Sequence, residues 1–185
     1  MIKTIIFDFG DVFINLDKTA VERELYKLGV TTITDDMLQT AELYEKGFIS
    51  TNDFVAAFRA KYPAISATQF KKAWNSIILE FPEYRLEFLK NISTTKKYKL
   101  ILLSNTNALH IEQVIENMSL YRYERFKSYF DQFYLSHEIQ LRKPDPSIYE
   151  FVLKENKLEA SACFFVDDTK ENTKAAAQLG IHTWN

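Results

Sequence analysis

Three short apolar runs in this chain each stop at a polar residue. Ile5-Ile6-Phe7 stops at Asp8, Leu100-Ile101-Leu102-Leu103 at Ser104, and Cys163-Phe164-Phe165-Val166 at the pair Asp167-Asp168. Runs of this length with no polar alternation read as strands buried on both faces, the kind found in parallel sheets. Parallel strands carry their last residues to one edge, and in open α/β sheets that edge is where ligands bind. Two carboxylate-bearing strand ends and a hydroxyl-bearing one are therefore expected side by side. Gly10, two residues past Asp8, lets the backbone turn sharply and brings its carbonyl near whatever Asp8 binds.

The segments between these runs supply the helices. Strands are expected at 2–9, 98–103, 130–135, 162–166 and 181–184. Between the first two, from Leu16 to Phe81, the pattern is helical throughout. Val21, Leu25 and Leu28 share a face that stops at Gly29. Thr34 precedes an acidic first turn at Asp35 and Asp36, as an N-cap would. Ser50 caps a helix carrying Phe54, Phe58 and Tyr62. Ser66-Ala67-Thr68-Gln69 matches a capping box, and Phe70, Ala73, Trp74, Ile77 and Ile78 follow at helical spacing. Trp74 fits that apolar stripe and is assigned to the core, although with Asn75 it could face a ligand. Further helices are expected from Pro82 to Ile92, from Ala108 to Met118, after Asp145-Pro146, and from Thr169 to Leu179, where Gly180 ends the last. The alternation of strands and helices gives an open, parallel, Rossmann-like α/β core at 1–15 and 82–185, with a small four-helix cap at 16–81.

Composition narrows the functions. At 185 residues, with 46% apolar and 26% charged, the chain suits one soluble α/β domain with an insertion. The formal charge of -2, with no Lys/Arg run, gives no reason to expect nucleic acid as a partner. No apolar stretch reaches membrane-spanning length, and Asp8 and Asp11 interrupt the hydrophobic N-terminus, so a cytoplasmic protein is expected. The single Cys163 lies in an apolar run and reads as a reduced, buried thiol. His110, His137 and His182 lack metal-ligand spacing and read as structural or exposed.

The polar residues at the sheet edge suit phosphate chemistry. Carboxylates from two strands could hold a hard divalent cation such as Mg²⁺, which takes oxygen ligands and keeps several waters. Ser104 could donate to phosphate oxygens, and Lys143, in a loop fixed by Pro144 and Pro146, could neutralise their charge. A carboxylate beside such an assembly is a nucleophile for phosphorus. Asp167 could instead cap the final helix, leaving Asp168 as the better metal ligand.

Four segments, in order, resemble the motifs of the haloacid dehalogenase superfamily, in particular its phosphatase-like members with a helical cap after the first strand. They are Phe7-Asp8-Phe9-Gly10-Asp11-Val12, Leu102-Leu103-Ser104-Asn105-Thr106, Arg142-Lys143-Pro144-Asp145-Pro146 and Phe164-Phe165-Val166-Asp167-Asp168. The resemblance implies a phosphatase of small phosphorylated metabolites in which Asp8 attacks phosphorus and the aspartyl-phosphate is hydrolysed by water. It implies Mg²⁺ held by Asp8, the Gly10 carbonyl and Asp168, with Asp167 direct or through water. Ser104, the amide of Asn105 and Lys143 would bind the phosphoryl oxygens. No membrane partner is expected, and the chain would be a monomer or weak homodimer. One position departs from the pattern: the family's second aspartate, two residues after the nucleophile, is here Gly10, and Asp11 is one residue out of step. Two alternatives follow. One is a carbon–halogen hydrolase, which shares the nucleophile but needs no metal. The other is a catalytically weak binding or regulatory protein, which Gly10 favours.

Overall fold

Successive side chains along the apolar runs enter different cores, as the pleat of a strand requires. In the computed structural model, which describes residues 1–185, Ile6, Ile101, Leu103 and Phe165 pack with Ile148, Val152 and Ala176. Their neighbours Phe7, Leu100 and Leu102 pack with Phe13, Leu86, Leu89 and Phe126 in a second core. The strands are β1 (Thr4–Phe7), β2 (Lys99–Ser104), β3 (Gln132–Leu135), β4 (Cys163–Val166) and β5 (His182–Trp184). All pair in parallel, in the order β3-β2-β1-β4-β5. The chain runs outward from β1 through β2 to β3, then returns to the other side of β1 with β4. A crevice opens where the order reverses, and Asp8 and Asp167 each follow the last residue of a strand beside it.

Four helices separate β1 from α5 (Glu83–Thr95): α1 (Ala20–Lys27), α2 (Asp35–Glu45), α3 (Thr51–Lys61) and α4 (Ala67–Asn75). Ser50 and Ser66 both close capping boxes, with Asp53 and Gln69. Thr34 sits at the N-cap of α2, but its hydroxyl bonds the Asp36 carboxylate instead of a backbone N–H. Aromatic rings fill the bundle: Phe58 stacks on Phe70 at 3.8 Å and Tyr44 on Phe54 at 4.4 Å. Leu109 of α6 (Ala108–Met118) completes this third core.

The apolar spacing of α4 overruns its helix. Beyond Asn75, Ile77 lies in a turn and Ile78 in an isolated bridge to Leu16, because backbone groups there pair with the outgoing segment. Asn15 N–H donates to Glu80 O at 3.0 Å, Leu79 N–H to Asn15 O at 3.0 Å, and Asp17 N–H to Ile77 O at 3.0 Å. These two crossing segments join bundle to sheet. Two further helices were not expected from the sequence, α7 (Leu120–Lys127) and the single turn α8 (Ser136–Ile139). Then α9 (Pro146–Glu155) starts where expected, with the Asp145 carboxylate accepting from Ser147 N–H at 2.9 Å, and α10 (Lys170–Gln178) closes the layer. Four of the five strands are shorter than expected: β1 is confined to Thr4–Phe7, β3 starts at Gln132 instead of Phe130, residues 160–162 form a 3₁₀ turn before β4, and β5 starts at His182. No helix is long and apolar enough to cross a membrane.

Candidate active site

Burial of a lysine among carboxylates dominates the sheet edge. Lys143 is 1% exposed, and its ammonium has three protons to place. They go to Asp8 Oδ1 at 2.7 Å, Asp167 Oδ2 at 2.7 Å and the carbonyl of Leu103 at 2.8 Å. Burial alone would push the lysine's pKa down, but the two carboxylates reverse this and hold it above its ordinary value. Burial lifts Asp8 to about 6 against the pull of Lys143, and the Asp167 charge adds to the lift. The loop that delivers the lysine is clamped by Asn105: its side-chain amide donates to Lys143 O at 2.8 Å, and its side-chain oxygen accepts Lys143 N–H at 2.9 Å.

The adjacent aspartates differ in what they are free to do. Asp167 Oδ1 accepts from Thr169 N–H at 2.8 Å, Asn172 Nδ2 lies 3.0 Å from both carboxylate oxygens, and Oδ2 also takes the lysine bond, so each oxygen already has two donors. Asp168 points outward, where Lys18 pairs with it and, at 3.0 Å, with Asp11. One carboxylate oxygen from each of Asp8, Asp167 and Asp168 lies within 4.8 Å of the others. The Gly10 carbonyl accepts no hydrogen bond from the protein. This is an oxygen donor set of the kind Mg²⁺ takes, with one or two carboxylates beside room for water. A Cβ at Gly10 would lie 2.7 Å from Leu16 Cδ1, so the turn at that position is closely covered. Asp11 cannot take over the role of an acid at position 10. Its backbone sits at φ 53, Oδ1 accepts Leu16 N–H at 3.0 Å, and its other oxygen is paired with Lys18.

A family model of haloacid dehalogenase-like hydrolases matches residues 2–180. The chain belongs to that family. It is 28% identical over 190 aligned positions to a D-ribitol-5-phosphate phosphatase of Bacteroides thetaiotaomicron, covering 100% of this chain and 91% of that protein. A HAD family enzyme of the same organism, solved with magnesium and inorganic phosphate, matches with a TM-score of 0.87 at 34% identity, over 100% of this chain and 94% of that one. A HAD-like hydrolase of Porphyromonas gingivalis matches with a TM-score of 0.81 at 27% identity, over 100% and 90% of the two chains.

In this haloacid dehalogenase-like hydrolase, a cleft of about 310 Å³ gathers Asp8, Gly10, Ser104, Asn105, Lys143 and Asp168. Asp167 lies beneath its wall. Ser104 Oγ has only a long contact, 3.5 Å to Asn105 O, and the Asn105 N–H has no acceptor in the protein. Lys18, Glu45, Glu171 and Asn172 line the cleft without having been expected there from the sequence, and His110 and Arg142 line it without having been assigned to it. Arg142 opens the lysine motif, which was the one usable signal. His110 is structural as expected, yet it also lines the cleft. Its Nδ1 accepts from Asn107 Nδ2 at 3.1 Å, its Nε2 donates to Trp74 O at 3.2 Å, and burial lowers its pKa to about 4. Trp74 stacks on His110 and packs against Phe54, while Asn75 bonds Gln113; both join bundle to sheet.

Proposed function

We propose that this chain is a Mg²⁺-dependent phosphomonoesterase of small phosphorylated metabolites, with Asp8 as the covalent nucleophile. One observation carries the reading. Groups facing inward are satisfied by the protein, whereas those facing the cleft are not: Asp8 Oδ2 pairs with no side chain, and the Gly10 carbonyl, Ser104 Oγ and Asn105 N–H are open. Acceptors for a cation thus stand beside donors for an anion. The relatives agree in kind: one is a phosphatase of a phosphorylated polyol, and another was solved with magnesium and inorganic phosphate.

In the reaction, an Asp8 oxygen attacks phosphorus while the bond to the leaving oxygen breaks, and water then releases phosphate from the aspartyl-phosphate. Asp8, Gly10 O and Asp168 would hold Mg²⁺, which offsets charge between carboxylate and phosphoryl group. Asp167 positions Lys143, and Lys143 orients Asp8 and favours its ionised form. Ser104 and the Asn105 N–H bind phosphoryl oxygens. With glycine at position 10, no side chain there protonates the leaving group. General acid help is typically worth ~10²–10⁴-fold, so poor leaving groups should react slowly. Residues 16–81 act as a cap over the cleft, on a core of 1–15 and 82–185. A carbon–halogen hydrolase would use Asp8 equally but would leave Asp168 and the open Gly10 carbonyl without a role.

Phosphate release from p-nitrophenyl phosphate, with and without Mg²⁺, tests the proposal. Asp8→Asn should abolish turnover in a folded protein, because an amide cannot attack phosphorus. Asp168→Asn should raise the Mg²⁺ concentration needed for half-maximal rate. Full activity after exhaustive chelation, or in Asp8→Asn, rules the mechanism out.

A further inference from the structure

We infer that Glu45 and Arg142 form a hydroxyl-reading pair that selects polyol or sugar phosphates. The inference rests on the phosphatase reading above and names the substrate class of that same site. Glu45 is the last residue of α2, and Arg142 precedes the buried lysine, 97 positions later. Arg142 Nε donates to Glu45 Oε2 at 2.7 Å, and both side chains line the cleft that holds Asp8 and Ser104. Each keeps one end free: Glu45 Oε1 and Arg142 Nη2 have no hydrogen-bond partner in the protein.

The chemistry of those free ends is specific. A carboxylate only accepts hydrogen bonds and a guanidinium only donates them. Side by side, they complement hydroxyls on adjacent carbons, each of which both donates and accepts. An aryl or alkyl group has no donor for the carboxylate, so Glu45 is the member of the pair that separates them from a polyol. The cleft size agrees. A cavity of about 150 Å³ holds benzene, so one of about 310 Å³ has room for roughly a dozen non-hydrogen atoms. That is close to a phosphoryl group carrying a five-carbon polyol.

The pair is also held still, as a recognition group must be. Ser136, fully buried, donates through Oγ to the Glu45 carbonyl at 2.7 Å and accepts Thr106 N–H at 2.9 Å. The end of α2 is thereby tied to the turn after β2 that carries Asn105 and Thr106. Two residues further on, a Cβ at Gly47 would lie 2.0 Å from the His137 carbonyl oxygen, so the chain sits directly on the sheet domain there. On the other side, Arg142 Nη1 reaches Lys143 O at 3.4 Å.

The test compares a pentitol 5-phosphate and a pentose 5-phosphate with p-nitrophenyl phosphate, in wild type, Glu45→Ala and Glu45→Gln, with Mg²⁺. Glu45→Ala should lower kcat/KM for the hydroxylated substrates, relative to p-nitrophenyl phosphate, by about tenfold through KM, the size of one hydrogen bond to a charged group. Glu45→Gln, which keeps size and one acceptor, should lose less. An equal loss on all three substrates would mean that the pair only latches bundle to sheet, and the inference falls. Calorimetric binding separates this outcome from failure of the phosphatase reading. If wild type hydrolyses none of the substrates, that reading fails, and binding still decides the inference. A pentitol 5-phosphate that binds more tightly than inorganic phosphate, with the margin lost in Glu45→Ala, upholds it; no margin in wild type overturns it.

Discussion

Lys143 and Phe58 are both buried, but their surroundings have little in common. Lys143 sits among two carboxylates and a carbonyl, all within 2.8 Å. Phe58 lies against Phe70 and Tyr62 in a bundle of rings, beside a second cavity of about 370 Å³ with mostly apolar walls. Around Lys143 each charged group is held in a fixed direction, and losing one leaves another uncompensated. In the bundle, contacts are many, weak and interchangeable. Parallel strands suit the first arrangement because they place their ends in register, and short capped helices suit the second. The difference predicts that single changes will have large, coupled effects at the edge and small, local ones in the bundle.

The sharpest test of that contrast is Lys143→Met, which keeps an unbranched apolar stem but removes the charge. It leaves Asp8 and Asp167 buried together without a counter-charge. Breaking a buried pair in this way typically costs about 3–5 kcal/mol, and turnover should vanish with it. Denaturant melts at neutral and mildly acidic pH check the cause: stability should recover in acid, as one carboxyl takes a proton. A variant as stable as wild type at pH 7 would mean that the edge is not held by charge.

His110, at the joint between the two regions, should give an intermediate effect. Its pKa is lowered to about 4 by burial, from an ordinary value near 6.5. The unfolded chain therefore gains a proton at higher pH than the folded one. Stability from this group is fully present above about pH 6.5 and is lost as pH falls toward 4. The change is at most about 3 kcal/mol, and less in so far as the ring, which is half-buried, meets water. Asp8 works in the opposite sense, because its carboxyl is raised to about 6 and its contribution fades as pH rises. The stability difference between wild type and His110→Asn, followed from pH 7 to 4, isolates the histidine. If that difference does not change with pH, the imidazole is not buried in solution as it is here.

The same contrast explains what the sequence revealed. Asp8, Ser104, Asp167 and Asp168 were legible because a local rule, an apolar run ending in a polar residue, places each of them. Lys143 was legible from its prolines. The partners of Lys143 were not, since burial of a lysine between two strand ends is a tertiary fact. Glu45 and Arg142 are 97 positions apart and meet only through the packing of α2 on α8. Ile77 and Ile78 misled in the other direction: their spacing continued a helix that backbone pairing with Asn15 and Asp17 had already ended.

The smallest effect is expected wholly within the bundle. Ser66 Oγ accepts Gln69 N–H at 3.2 Å, and Gln69 Oε1 accepts Ser66 N–H at 2.9 Å, closing the box that starts α4. Ser66→Ala removes an acceptor from a helix end, typically a cost of about 1 kcal/mol. The helix carries Trp74 toward His110 at its other end, so the change lies more than two turns from the joint. Stability should fall by that amount, while the Mg²⁺ concentration for half-maximal activity stays at its wild-type value. Ser50→Ala, which removes the equivalent box on α3, should behave alike. The decisive comparison is metal affinity against stability across the two variants. If Mg²⁺ dependence shifts along with stability, bundle and sheet edge behave as one cooperative unit, and their different construction does not isolate them.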